Sequence, residues 1–478
     1  MDRLSQKALA ASALSLPQLP ALQHPLTAKL IAHHRGLLSE LSQGLGSTLH
    51  VLLPEVFDDT ARQFRQALDD AGVDGFVLFA KKANKGRSFV ERCPALGIGI
   101  DAASLQEAEQ ALGCGVTGEH IGITGPGKHP ALLNLALRQR CLVAIDSVEE
   151  LRAFAAQAQQ AGCRGRVLLR CRPQSQPRSR FGMSDDEREA ALDLCLQHRD
   201  VLDMEGFSFH LSGYSAAARA EEAHRLVDAC INARARGLTR CATINIGGGF
   251  AVRYVTEEHW SAFLDQQTPQ HYHAGKSFDD FYPYYNAAPG AAMLAAILAH
   301  AVDGRSLAQG LRENTIRLML EPGRALLDQA GFTLFEIQSI KDRHPDADTE
   351  TESGYGIVTV GGTSFSLSEQ WFNSEYAPDP LLLPRRDVAT TSSAYAAYAA
   401  CIGGASCLDS DMVTWRKIVF PQRPAAGDLL VYLNTAGYQM DSNESPFHDL
   451  PLPAKVVVTM DQGKPCWRLD QRPHAAFA

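Results

Sequence analysis

Lys82, in the run Phe79-Ala80-Lys81-Lys82-Ala83-Asn84, stands just past the short apolar stretch Phe76–Phe79. An amine at that point is either a solvated loop cation or a nucleophile in a closed site, able to carry an aldehyde cofactor. Three consecutive glycines, Gly247, Gly248 and Gly249, would let backbone N–H groups approach a phosphate closely. Arg324, in Glu321-Pro322-Gly323-Arg324, offers the same phosphate a bidentate partner. An acid beside a phosphate makes sense only if Glu321 faces another part of the ligand, and a carboxylate opposite a pyridine nitrogen keeps that nitrogen protonated. With His210 supplying a flat ring to lie on a heterocycle, the set describes a site for pyridoxal 5'-phosphate.

These residues have to be brought together by regular elements. From about residue 75 to 325 the chain repeats an apolar run, turn residues and a helical segment. The runs are Val77–Ala80, Gly97–Ile100, Ile121–Thr124, Val143–Ile145, Val167–Arg170, Gly206–His210, Ala242–Ile246 and Ile316–Leu320. Ser104 with Glu107, Ser147 with Glu150 and Ser184 with Glu187 read as capping boxes that start the following helices. Eight such units over this length predict a (β/α)8 barrel, whose active site lies at the C-terminal ends of the strands. Lys82, Asp101, Gly125-Pro126-Gly127-Lys128, Asp146, Arg170, His210, Gly247–Gly249 and Glu321 all follow those ends.

Beyond the barrel, Phe332–Ile340, Tyr355–Val360, Thr414–Phe420, Leu429–Leu433 and Lys455–Met460 are strand-like and separated by Pro- and Gly-containing turns. The expected fold class is therefore α/β plus β. An N-terminal extension would span 1–45, with helix-like Leu26–Leu41, a cofactor-binding barrel 46–325, and a mostly β domain 326–478. The aromatic segment 251–315, with Tyr282, Tyr284 and Tyr285, is long enough to lid a site or merely to decorate the barrel.

A net charge of -9 without a dense Lys/Arg stripe argues against a nucleic-acid partner, and no apolar run is long enough to span a membrane. Ala8–Leu16 loosely imitates a secretory leader, but Asp2, the interspersed serines and the lack of a clear cleavage site favour the cytoplasm. Eleven cysteines without a Cys-x-x-Cys pair read as reduced thiols. His271-x-His273 lacks a third ligand nearby, so no metal is expected.

Residues 75–440 resemble the fold-type III pyridoxal-phosphate decarboxylases, the diaminopimelate/ornithine/arginine decarboxylase family. Phe79-Ala80-Lys81-Lys82-Ala83-Asn84 is similar to the family's Tyr-Ala-x-Lys-Ala-Asn, Asp101-x-x-Ser104-x-x-Glu107 to its Asp-x-x-Ser-x-x-Glu, and Ser179-Arg180-Phe181-Gly182 to its Ser-Lys-Phe-Gly. Glu321-Pro322-Gly323-Arg324 matches outright, Gly404-Ala405-Ser406-Cys407 resembles Gly-Pro-x-Cys, and Ala436-Gly437-Tyr438 resembles Gly-Ala-Tyr. The resemblance implies that Lys82 holds the cofactor aldehyde with Asp101 close by, His210 stacks on the ring and Glu321 pairs with its nitrogen. It gives the phosphate to Gly247–Gly249, Gly323, Arg324 and Tyr438, and places Arg170 near the phenolic oxygen. It makes Cys407 the proton donor after carbon dioxide leaves, supplied by the partner subunit of a homodimer.

Several positions depart from the family. His210-Leu211-Ser212-Gly213 stands where relatives carry His-x-Gly-Ser, so the usual phosphate serine is a glycine, and Ser212 or Ser215 would have to substitute. The residue after Cys407 is Leu408, where enzymes acting on diamino acids carry an acid for the distal ammonium. An ammonium buried against leucine would cost several kcal/mol. Asp409 or Asp411 would have to shift in. Around Phe365, with Trp371 and Phe372 near it in sequence, the acid and Arg-Pro of relatives are missing. These departures point to a modified or conjugated amino acid as substrate. The alternatives are a diaminopimelate-type decarboxylase proper, an amino-acid racemase, or a non-catalytic regulatory relative. A nucleotide-binding P-loop is disfavoured because His129 follows Gly127-Lys128 where Ser or Thr is needed.

Overall fold

The computed structural model describes residues 16–343, 354–367, 374–385 and 397–470. The leader-like residues 8–15, Trp371 and Phe372 lie outside them. The chain divides into two compact units, Phe57–Ala251 with Ala288–Leu326, and Met1–Val56 with Val252–Ala287 and Leu327–Ala478.

The first unit is the eight-stranded barrel. Its strands are β2 (Gly75–Ala80), β3 (Gly99–Ala102), β4 (Ile121–Ile123), β5 (Leu142–Ile145), β6 (Gly165–Arg170), β7 (Leu202–Ser208), β8 (Thr243–Asn245) and β11 (Arg317–Leu320), all parallel and closed by β11 on β2. Strands buried on both faces read as unbroken apolar runs, which is why each was visible in the sequence. Leu78, Leu142, Leu168 and Met319, from four different strands, form one buried cluster. Helices follow the strands, and Ser104, Ser147, Ser184 and Ser215 each accept a backbone N–H of the first helical turn. The Ser184–Glu187 pair is a full capping box; Glu107 and Glu150 instead accept the N–H of the residue before the cap, Ala103 and Asp146. A two-residue hairpin, β9 (Ala301–Val302) with β10 (Arg305–Ser306), decorates the last helical connection.

The second unit is built on a nine-stranded sheet. Its strands are β1 (Thr48–Leu52), β12 (Gly331–Arg343), β13 (Tyr355–Val360), β14 (Leu381–Leu383), β15 (Tyr398–Gly403), β16 (Met412–Phe420), β17 (Leu429–Tyr432), β18 (Ala454–Asp461) and β19 (Lys464–Leu469). β1 runs antiparallel to β12 and parallel to β18, so it lies in the interior of this sheet. Residues 46–56, expected to open the barrel domain, therefore belong with the β unit, because the hydrogen bonds of β1 are made there. The N-terminal helical stretch is two helices, Pro25–His33 and Arg35–Leu45, broken at His34.

The aromatic segment divides at residue 287. Its first part is core of the β unit: Tyr254, Tyr284 and Tyr376 are fully buried, Tyr254 stacks on Tyr284, and Arg416 lies over Phe263. His273 stacks on Trp415 and bonds the Tyr355 hydroxyl at 2.8 Å. The second part, Gly290–Ala299 and Leu307–Glu313, supplies barrel helices. All eleven cysteines are free thiols. Among the described residues no helix is long and apolar enough to cross a membrane.

Candidate active site

Strand β2 ends in a single 3-10 turn, Lys81–Ala83, which turns its two lysines to different fates. Lys81 is buried and its Nζ donates to the Asn84 carbonyl at 2.9 Å. Lys82 keeps 46 % of its side chain exposed and sets its Nζ 3.1 Å from Asp101 Oδ2 at the end of β3. The other oxygen, Oδ1, accepts the Thr124 hydroxyl at 2.6 Å, so both oxygens of this buried carboxylate are occupied. A half-open amine beside a fixed carboxylate is placed to meet an electrophile from solvent.

At the ends of β7, β8 and β11 the packing is closer. Glu321 is buried, receives a 2.7 Å hydrogen bond from Asn245 Nδ2, and donates its own N–H to the Gly247 carbonyl. Burial, and then the Asp101 charge, push its carboxyl up to about 7. Asn245 also accepts the Gly247 N–H at 2.9 Å, so one amide ties the acid to the glycine loop. A β-carbon at Gly248 would meet the Glu321 carbonyl at 2.7 Å, and one at Gly247 the Phe209 carbonyl at 2.7 Å. Only glycines fit this cradle. The His210 ring adjoins Gly247 and Gly248, and burial followed by the cations Lys82, Arg170 and Arg219 holds its imidazole down to about 4. It is neutral at physiological pH.

Arg170 pairs with Asp146 at 3.2 Å and covers the Phe181 ring, which Arg180 covers as well. Gly182, at φ +79°, donates its N–H to Asp146 and leaves no room for a side chain against Cys171 and Arg172. Arg324 is buried just beyond Gly323. Ser212 is exposed and Ser215 accepts the Ala218 N–H as a helix cap. Lys128 is not a surface charge: its Nζ bonds Glu150 at 3.0 Å together with the Gly125 and Ala144 carbonyls. Lys128→Met is expected to cost about 3–5 kcal/mol, because it strands a buried carboxylate, and chemical denaturation of the purified variant measures it.

In the β unit, Cys407 and Leu408 are exposed, Leu408 by 44 %, and Asp409 beside them is exposed too. Cys407 Sγ lies 3.2 Å from His448 Nε2, and the His448 ring packs edge-on to Phe447. Asp411 is buried and committed, accepting the N–H groups of Ser364 at 2.7 Å and Ser406 at 3.1 Å. It pins the Cys407 loop to the 3-10 turn Ser364–Leu367, where Phe365 is half-buried. Tyr438 adopts a left-handed φ of +76°.

Asn245, Arg219, His448 and the fixed role of Asp411 escape sequence reasoning. The one signal was Asn245, an amide interrupting the apolar run Ala242–Ile246. Among the described residues no group of three or more His, Cys, Asp or Glu is placed to hold a metal ion. An amine open to solvent, a glycine cradle, a buried acid that calls for a proton-bearing partner and a neutral imidazole fit an aromatic aldehyde with a ring nitrogen and an anionic tail.

Comparison with known proteins supports the same cofactor. Residues 57–328 match the family described as pyridoxal-dependent decarboxylase, pyridoxal binding domain. The chain is 35% identical over 452 residues to an uncharacterised protein of Sinorhizobium fredii, covering 94% of this chain and 95% of that protein. It is 25% identical to the diaminopimelate decarboxylase of Bacillus methanolicus over 88% of this chain and 89% of that one. Among solved structures it is similar to diaminopimelate decarboxylase from M. jannaschii in complex with L-lysine, with a TM-score of 0.68, 18% identity and 91% of both chains covered. A lysine/ornithine decarboxylase from Vibrio vulnificus complexed with putrescine gives a TM-score of 0.65 at 17% identity, over 91% of this chain and 99% of that one.

Proposed function

The chain belongs to the pyridoxal-dependent decarboxylases, a family with diaminopimelate, ornithine and arginine enzymes among its relatives, and from that premise we propose that it removes the α-carboxylate of an amino acid whose distal end is acylated, carrier-bound or otherwise enlarged. The observation that carries the substrate reading is the pairing of Leu408 with a committed Asp411. Leucine stands where a distal ammonium would need an acid, and Asp411 is already spent on two backbone N–H groups. Swinging it free would leave those N–H groups unpaired, at about 1–3 kcal/mol each.

Bound to this chain, pyridoxal 5'-phosphate supplies a protonated pyridine ring that accepts the electron pair left when carbon dioxide departs. Lys82 would hold the aldehyde carbon, with Asp101 fixing the amine. His210, neutral, would lie against the ring without opposing its positive charge. Glu321, oriented by Asn245, would hold the proton on the ring nitrogen, and Arg170 would serve the phenolic oxygen. Gly247–Gly249, Gly323 and Arg324 would hold the phosphate, with Tyr438 the further hydroxyl that the family resemblance implies for it. Cys407 would be the proton donor, its thiol oriented by His448 against its Sγ.

The protein is proposed to work as a homodimer in which a second copy receives Cys407. Leu408 and Phe447, 44 % and 37 % exposed, flank the Cys407–His448 pair with an apolar surface suited to burial against that copy.

The test is carbon dioxide release from purified protein given a panel of free and distally acylated amino acids. Acylated substrates are expected to be turned over at least about tenfold faster than free diaminopimelate, ornithine or lysine, the cost of burying an unpaired ammonium. Rapid turnover of free diaminopimelate would sink the reading. The rival reading, a decarboxylase of free diamino acids, draws on exposed Asp409, and Asp409→Asn would abolish turnover of free diamino acids under it.

A further inference from the structure

Arg219 is the largest fully buried side chain of the barrel unit, with 0 % of its surface exposed. It sits in the first turns of the helix Ala216–Ala235 that follows β7. Its Nη2 donates to the Leu211 carbonyl at 3.0 Å, while Nε and Nη1 have no partner. Among the described residues no carboxylate pairs with it, and burial pushes its pKa down to about 10. The Phe250 ring, 6.0 Å from the guanidinium carbon, is a weak compensation. A guanidinium desolvated without a counter-ion is costly, and a fold keeps one where an anion arrives to balance it.

Its position says where that anion belongs. A β-carbon at Gly249 would collide with the Arg219 guanidinium and approach the Leu211 and Gly213 carbonyls. The third glycine of the loop is therefore backed by an uncompensated cation. The hydroxyls nearby do not offer an equal alternative: residue 213 is glycine at φ +85°, Ser212 faces solvent, and Ser215 caps its own helix.

We propose that Arg219 is the buried counter-charge for the cofactor phosphate at the Gly247–Gly249 loop, supplying from behind the loop an electrostatic stabilisation in place of the hydrogen bond that a serine at position 213 would have donated directly. This rests on the reading that the phosphate lies at that loop. Arg219 acts through the loop and through the low-dielectric interior, where a full charge reaches further than in water. It is a positioning residue, not a catalytic one.

A purely structural arginine and a phosphate counter-charge predict opposite results for Arg219→Met. Equilibrium binding of pyridoxal 5'-phosphate and of unphosphorylated pyridoxal to the cofactor-free protein, followed by absorbance, is compared with its thermal midpoint. Arg219→Met is expected to weaken pyridoxal 5'-phosphate by about tenfold or more, leave pyridoxal unchanged, and leave the thermal midpoint of the cofactor-free protein unchanged or raised. Arg219→Lys, which keeps the charge, should retain most of the affinity, and it serves as the probe if the methionine variant does not fold. Equal loss for pyridoxal and its phosphate, or unchanged affinity with a lowered midpoint, would overturn the proposal. If the native protein itself fails to prefer the phosphorylated form, the placement of the phosphate at the loop falls first, and this inference with it.

Discussion

Lys82→Ala is expected to reduce carbon dioxide release by at least about a thousandfold and to abolish the visible absorbance of bound cofactor, while the fold is kept. The side chain is half exposed, and Asp101 retains the Thr124 hydroxyl when the amine is gone. Asp101 is itself buried, so Lys82→Ala should also lower the thermal midpoint, and Lys82→Arg, which keeps the charge but cannot form the imine, should lose the absorbance and the activity with less loss of stability. Lys81 provides the control. It stands next door, but its Nζ is buried on the Asn84 carbonyl, so Lys81→Ala should cost stability and spare the absorbance. Full activity in Lys82→Ala would refute the assignment. The same variant tests the shared site: mixing it with Cys407→Ala under conditions that exchange subunits should restore activity that neither has alone.

The second large effect is a pH-dependent one at Glu321. Its carboxyl is raised from 4.5 to about 7, chiefly by burial and then by Asp101. A folded value above the unfolded one means the protonated acid is the form the fold prefers. The associated stability is complete below about pH 4.5 and is lost as pH rises through about 7. Across that window the cofactor-free protein gives up on the order of 3 kcal/mol through this group. Glu321→Gln keeps an oxygen to accept the Asn245 hydrogen bond and cannot ionise. The cofactor-free variant should therefore match the native protein near pH 4.5 and exceed it near pH 8 by up to about that amount. Its catalysis should fall at least about a hundredfold, because an amide cannot hold the ring-nitrogen proton. Urea denaturation at the two pH values, with a decarboxylation assay, reads both. Equal pH dependence in the two proteins would show that the carboxyl is not held in its acid form.

The barrel was legible because its strands are short apolar runs buried on both faces, four of them followed by a serine-capped helix. The β unit was less so, for reasons that can be given residue by residue. β15, Tyr398–Gly403, hides in an alanine-rich stretch with Ile402 its one β-branched residue, yet all six residues are buried between β13 and β16. β1 looks like the entry to the barrel because it precedes it in sequence, whereas its pairing partners lie near the other end of the chain. Among polar groups, most of those at strand ends announced themselves by topology alone. Asn245, Asp411 and Arg219 did not, because their meaning lies in what they touch: a carboxylate, two backbone N–H groups, and nothing that balances a charge. His448 is about forty residues from the cysteine it meets.

The placement of β1 also orders events at the ribosome. This strand is bonded on one side to Gly331–Phe335 and on the other to Ala454–Val457, so a segment made early must wait for about four hundred further residues before its second edge is covered. The barrel strands, by contrast, are complete once residue 320 has emerged. The nascent chain therefore carries an uncovered strand edge throughout synthesis of the barrel, and an edge of that kind invites mispairing with neighbouring chains. Refolding from denaturant, where all segments are available at once, should be less prone to aggregation than synthesis arrested shortly before residue 454.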